Sequence, residues 1–245
     1  MFLVSQMDKE NTDEKCSHED EFEKDANIDL SNVKKEVVNK EKLLVSNGML
    51  LFVAALDTTS ATLTFCMFYL LKHPEIQEKI REEIIEVMGD DEELTFDHIQ
   101  SMKYMDRVLY ETLRLAHPFA HILERECVKD YKVPGTDYVI RKGEVVNFSF
   151  LYERMKKNKT SFYNPEEFDP DNFDPKNNPD SFSFLGFGQG PRNCIGKRYA
   201  MLTMKLALVP FLKNYKLVKT KDFPQDLKMF KFVAGAEVFF HAVPL

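Results

Sequence analysis

The chain has 245 residues, 44% of them hydrophobic, with a formal net charge of −7 and four cysteines, Cys16, Cys66, Cys127 and Cys194. That length suits one large domain or two small ones, and the acidic balance argues against nucleic acid as a partner. The cysteines show no Cys-x-x-Cys spacing, which argues against a zinc site or a disulfide framework and for reduced thiols in a cytosol-facing protein.

In chain order, residues 1–7 are apolar but too few to span a bilayer, and no signal peptide or anchor is expected at the start. Residues 9–40 are densely charged and poor in aromatics, the composition of a solvated linker. The stretch Leu43–Leu71 is long and apolar enough to cross a membrane, but Asp57-Thr58-Thr59-Ser60 falls at its centre. An aspartate at the bilayer midplane costs about 2.5–3.5 kcal/mol, so a long helix buried in protein is expected from about Glu41 to Lys72. Pro74 opens a second helix and Gly89 closes it, with Ile76, Ile80, Ile84, Val87 and Met88 on its apolar face. Thr95 reads as the N-cap of a short helix, and a fourth helix runs from about Tyr104 to Leu115, before Pro118.

Beyond Pro118 the period falls to two. Cys127–Val133, Tyr138–Ile140 and Glu144–Phe148 read as short strands separated by Pro-Gly and Lys-Gly turns. Residues 153–181, rich in Pro, Asn and Asp, read as an irregular meander. Two further short strands are expected near Met229–Val233 and Glu237–Ala242. The fold class is therefore mainly α with small β sheets.

Between meander and C-terminus lies Phe187-Gly-Gln-Gly-Pro-Arg-Asn-Cys-Ile-Gly196. A helical pattern starts at Lys197, so Cys194 sits in a tight loop feeding a helix N-terminus, where unpaired N–H groups and the helix dipole favour a thiolate. Glycines at 188, 190 and 196 let the backbone approach something large and flat. This loop resembles the haem-binding signature of the cytochrome P-450 family, Phe-x-x-Gly-x-Arg-x-Cys-x-Gly, and matches it at every specified position. The element order resembles the C-terminal half of that fold, with a long buried central helix and a cysteine haem loop. The closest look is to animal microsomal xenobiotic-metabolising members, supported by Leu123–Tyr131 and Met204–Leu208.

The resemblance implies haem b, with Cys194 as the thiolate ligand of iron and Phe187, Gly188, Arg192, Gly196 and Arg125 as cofactor-binding residues. Arg192 and Arg125 would face the propionates. Ala54-Ala-Leu-Asp-Thr-Thr59 resembles the family's oxygen-activation motif. Oxygen activation consumes two protons, and Asp57 beside Thr58 offers an acid behind a hydroxyl that can relay one. The alternative is that these hydroxyls merely bond back to carbonyls four residues earlier. Ala55 stands where the family usually has glycine, which favours a straighter helix. Glu111 and Arg114 match the family's Glu-x-x-Arg pair. Asn172 replaces the usual third member, an arginine, so the network is expected to lose a cation and the meander to be looser.

As a whole the resemblance implies a haem-thiolate monooxygenase that inserts one oxygen atom of O₂ into a small apolar substrate. Electrons would come from NADPH through a reductase, docked on a basic rim that includes Lys197 and Arg198. The implied location is the cytosolic face of the endoplasmic reticulum membrane, with the anchor absent here. Residues 1–40 would be a helix remnant and charged linker, and 41–245 the haem-thiolate half-domain. The alternative is a truncated, non-catalytic fragment of such an enzyme; a haem-binding sensor module has less support, because the Asp57–Thr58 pair is retained. Loss of covering helices is expected to expose Leu50, Phe52, Leu63, Phe65 and Phe68.

Overall fold

The computed structural model describes residues 40–118, 123–148, 161–177, 183–227 and 237–245. The expected linker at 1–40, save Lys40 itself, and the expected strand at 229–233 lie outside them. The described residues form helices α1 (Lys40–Lys72), α2 (Pro74–Met88), α3 (Phe96–Ser101), α4 (Lys103–Leu115) and α5 (Lys197–Asn214). Strands β1 (Leu123–Glu126), β2 (Tyr131–Lys132), β3 (Val139–Ile140), β4 (Val145–Phe148), β5 (Tyr215–Lys219) and β6 (Phe240–Pro244) join as antiparallel pairs β1–β4, β2–β3 and β5–β6. The chain is thus mainly helical with small sheets.

Each helix boundary has a local cause. α1 stops because His73 precedes Pro74 and is held out of the helical region. The His73 N–H donates to Tyr69 O at 2.9 Å, and the His73 carbonyl accepts from Ile76 N–H at 3.0 Å to begin α2. Gly89, at φ +53°, ends α2 by donating to Ile85 O. Thr95 caps α3 through its hydroxyl, which accepts from His98 N–H, while His98 Nδ1 accepts from Thr95 N–H. Glu83 of α2 caps α4, its carboxylate accepting from Tyr104 N–H at 2.6 Å and Met105 N–H at 2.9 Å. Burial pushes the Glu83 carboxyl up, against the pull of those two donors.

The main core lies where the C-terminal half of α1, α2, α4 and α5 meet. Cys66, Leu70, Ile80, Ile84, Leu109, Met204 and Leu212 are all fully or almost fully buried there. Each such side chain contributes about 1.5–3 kcal/mol relative to exposure. Three buried polar side chains stitch the helices to backbone that lies far away in sequence. Gln77 Nε2 donates to Leu70 O at 2.7 Å and Leu217 O at 3.3 Å, and its Oε1 accepts from Leu217 N–H at 3.0 Å. Arg81 donates to Leu212 O and Tyr215 O. Lys205 of α5 donates to Ile99 O and Met102 O and pairs with Asp106.

Three expectations are corrected. The expected Cys127–Val133 strand shrinks to β2, with a crossover at Cys127–Asp130, and β1 precedes it where no strand was expected. The crossover is held from outside: Cys127 N–H donates to Glu144 O, Gly143 N–H to Cys127 O, and Lys142 N–H to the Asp130 carboxylate. β5 was not expected at all; its register on β6 runs from Tyr215–Pro244 to Lys219–Phe240. The third correction concerns α1: Phe65 and Phe68 were expected to be exposed together with Leu50 and Phe52, but the C-terminal half of the helix is buried. Phe65 and Phe68 are 0% and 2% exposed, whereas Leu50 and Phe52 are 66% and 70% exposed. Helices α2, α4 and α5 cover residues from about 59 onward, and none of them reaches the first four turns.

Replacing Gln77 by Leu keeps the volume but leaves Leu70 O and Leu217 N–H buried without partners. Loss of about 1–3 kcal/mol is expected, read by urea unfolding of the chain.

Candidate functional site

Cys194 lies on a loop that glycines and backbone hydrogen bonds shape. Its N–H donates to Phe187 O at 2.7 Å, closing the loop, and Gly188 N–H donates to Leu185 O at 2.9 Å. Gly188 and Gly190 hold φ near +72° and +75°, a region that other residues avoid. A side chain at Gly188 would also meet the Asn193 backbone. Asn193 N–H closes the Gly190–Arg192 turn, and Ala200 N–H donates to Gly196 O as α5 begins. Phe187 is half-buried against the main core, while Cys194 and Ile195 are exposed. The sulfur is therefore presented to the outside by a loop anchored to the inside.

The anchor is a buried charge network. Arg114 Nε donates to Glu111 Oε2 at 2.6 Å and Nη2 to Glu111 Oε1 at 2.7 Å. The same guanidinium donates to Pro165 O at 2.6 Å and Glu167 O at 3.0 Å, and lies over the Phe162 ring at 4.9 Å. Both ionic side chains are wholly buried. Glu111 Oε1 also accepts from Asp169 N–H and from Asn172 Nδ2 at 3.0 Å. Burial pushes the Glu111 carboxyl up, and Arg114 opposes that shift most strongly.

Asn172 joins this network as its neutral third member. It is 4% exposed, and its amide works in both directions: Nδ2 donates to Glu111 while Oδ1 accepts from Tyr163 N–H at 3.1 Å. A neutral donor suffices because the Arg114 charge already matches the Glu111 charge.

An aromatic cluster joins this network to the loop. Phe184, just before the loop, packs edge-on against Phe173 of the meander and Tyr110 of α4. Gly186 is buried, and a Cβ there would overlap the Phe184 ring. His117 Nε2, beyond the end of α4, donates to Gly186 O at 2.8 Å. Sequence reading missed His117, Phe184 and Gly186. Gly186 alone carried a signal, as a further glycine beside the loop.

The remaining candidates are more scattered. Arg192 is exposed in the turn before Cys194, and Arg125 is exposed on β1 with its guanidinium donating to Glu124 O. On α1, Asp57 is exposed and Thr58 half-buried. Thr58 Oγ1 donates to Ala54 O at 2.7 Å, so this hydroxyl bonds back along its own helix. Thr62 and Thr64 do the same, to Thr58 O and Ser60 O. Thr59 is the exception: its hydroxyl is buried with no hydrogen-bond partner. α1 runs through Ala55 without a break.

A family model described as cytochrome P450 matches residues 4–240. The chain belongs to the cytochrome P450 family. Among its relatives, cytochrome P450 6l1 of Blattella germanica is 34% identical over 208 residues, covering 83% of this chain and 41% of the relative. Cytochrome P450 3A2 of Rattus norvegicus is 36% identical over 205 residues, covering 81% and 40%. Cytochrome P450 3A12 of Canis lupus familiaris is 38% identical over 188 residues, covering 76% and 36%. The chain thus spans about two-fifths of the length of these curated relatives.

Arg114→Lys removes the fork that serves Glu111 and two carbonyls at once. It is expected to cost about 3–5 kcal/mol, measured by denaturant unfolding. Gly186→Ala drives a methyl into the Phe184 ring, which Phe173 and Tyr110 block from retreating. A loss of about 1–3 kcal/mol is expected, with the Phe184 ring resonances shifted in NMR spectra.

Proposed function

We propose that this chain carries the thiolate-bearing part of a monooxygenase that uses haem b held through Cys194. The observation that carries this reading is an exposed thiol on a glycine-shaped loop anchored to a fully satisfied buried network. The donor set fits the group. Among the described residues no three His, Cys, Asp or Glu side chains gather to hold a metal ion. One soft sulfur alone suits an iron whose other ligands come with a macrocycle.

When bound, haem would supply dioxygen chemistry, and thiolate ligation favours O–O cleavage. The overall balance is one O₂, one NADPH and one proton consumed per substrate hydroxylated, with the second oxygen leaving as water. Gly188 and Gly190 leave room for a flat group to approach the backbone. Arg192 and Arg125 offer exposed guanidinium groups to two carboxylates. Thr58 gives its proton to Ala54 O, so its oxygen is free to accept a hydrogen bond. Donating from Thr58 Oγ1 requires that bond to open, and exposed Asp57 then exchanges protons with solvent. Lys197 and Arg198 at the start of α5 suit an acidic reductase domain. The substrate class proposed is small and apolar, and the location is the cytosolic face of the endoplasmic reticulum membrane.

A second reading is favoured by the uncovered first half of α1: residues 41–245 form a half-domain that is non-catalytic unless further polypeptide covers it.

Two measurements test these roles. Haem-loaded chain, reduced under carbon monoxide, should show the red-shifted Soret band of thiolate ligation, and Cys194→Ser should abolish it. An imidazole-type spectrum in the unsubstituted chain contradicts the assignment. With the chain joined to the remaining sequence of a relative, Thr58→Ala should retain haem but release more peroxide per NADPH. Unchanged coupling removes Thr58 from the proton path.

A further inference from the structure

His117 leaves the end of α4 from a rigid stem. Ala116 closes that helix with extended backbone, at φ −141° and ψ 99°, and its N–H donates to Thr112 O at 2.8 Å. Ala116 is 1% exposed and packs with Ala61 and Phe65 of α1. Pro118 is buried too, and a proline holds the residue before it to extended backbone. The imidazole therefore projects from a fixed point three residues beyond Arg114. A carbonyl has no proton to give, so Nε2 of His117 carries the hydrogen in its 2.8 Å bond to Gly186 O.

That bond falls on the peptide unit joining Gly186 to Phe187. Gly186 must lack a side chain, because a Cβ there would lie 2.4 Å from Cζ of the Phe184 ring. The same lack leaves the backbone at Gly186 free to turn, so the orientation of the peptide that follows needs a constraint from elsewhere. His117 supplies it. A peptide unit is planar, and holding its oxygen fixes the direction in which the chain enters Phe187. The next carbonyl is Phe187 O, which accepts the Cys194 N–H at 2.7 Å. Of two consecutive carbonyls, one takes a donor from the segment after α4 and the other takes the donor of the cysteine itself.

We infer that His117 is a positioning residue for Cys194 and, on the reading that this sulfur holds iron, for the bond between them. It acts through the Gly186–Phe187 peptide, keeping Phe187 O aimed at the cysteine N–H. The half-buried Phe187 ring, packed against the main core, sets where the loop stands. The imidazole sets how the loop is turned, and with it the direction of the Cys194 side chain.

The test follows amide hydrogen exchange, residue by residue, in the 245-residue chain without haem. His117→Ala should speed exchange at the Cys194 N–H by about tenfold, while Ile80 and Ile84 of α2 keep their rates. His117→Gln keeps a side-chain N–H donor and should return most of the lost protection. With haem bound and reduced under carbon monoxide, His117→Ala should leave a larger share of the complex without the red-shifted Soret band, and His117→Gln should recover it. An unchanged Cys194 rate in His117→Ala would overturn the inference. So would faster exchange spread evenly over α2 and the loop, the mark of a general loss of stability. A faster Cys194 rate with an unaltered carbon-monoxide spectrum would overturn it as well, because the sulfur would then not depend on the bond. If the unsubstituted chain gives no thiolate band, the haem reading fails, and the exchange rates alone decide whether His117 positions the cysteine.

Discussion

The structure around the cysteine depends on one buried ion pair, Glu111 with Arg114. Two charges removed from water cost several kcal/mol each unless their partners are fully supplied. Here Glu111 accepts from Arg114, Asp169 N–H and Asn172, while Arg114 spends its remaining donors on Pro165 O and Glu167 O. Four of these hydrogen bonds tie α4 to the irregular segment 161–177. That segment has no ladder of its own, and the buried pair defines its path together with Arg107, which reaches Asp174 at 2.7 Å. Through Phe173, Phe184 and the His117–Gly186 bond, the same fixed point sets where the Cys194 loop leaves the core.

α1 shows how one helix serves two environments. From Thr59 onward most of its side chains enter the core, and the hydroxyls of Ser60, Thr62 and Thr64 bond to carbonyls of their own helix while that of Thr59 has no partner. Before Ala54 it is as apolar, but its large side chains are exposed. The segment Ala54–Thr59 lies at the boundary between the two halves. Thr58 and Asp57 are half-buried and exposed, so any polypeptide that covers the first half of α1 also changes water access to them.

Much of this was legible in residue order. The 3.6-residue period of Ile76, Ile80 and Ile84 and the caps at Thr95 and Gly89 are local signals, and α2 and α3 follow from them. The glycine pattern around Cys194 announced a loop of special backbone before any coordinates. Contacts set by distant residues were not legible. The grip of Gln77 on Leu217 and of Lys205 on Ile99 spans more than a hundred residues, and neither side chain differs in type from a solvated one. The crossover at Cys127–Asp130 is imposed by Gly143 and Glu144 from outside, so a period-two pattern alone ran β2 back over it and missed β1. Exposure was expected too far along α1, at Phe65 and Phe68 as well as Leu50 and Phe52, because apolar composition shows what favours cover, not where cover is present.

The central claim is that the anchored loop delivers the Cys194 sulfur to iron. Resonance Raman spectroscopy of haem-loaded chain, prepared with ³⁴S-labelled cysteine, tests it most directly. A low-frequency iron–sulfur band that moves to lower frequency on labelling, and is lost in Cys194→Ser, is the result predicted. A spectrum with no sulfur-sensitive band, or one whose sulfur-sensitive band survives Cys194→Ser, would contradict it.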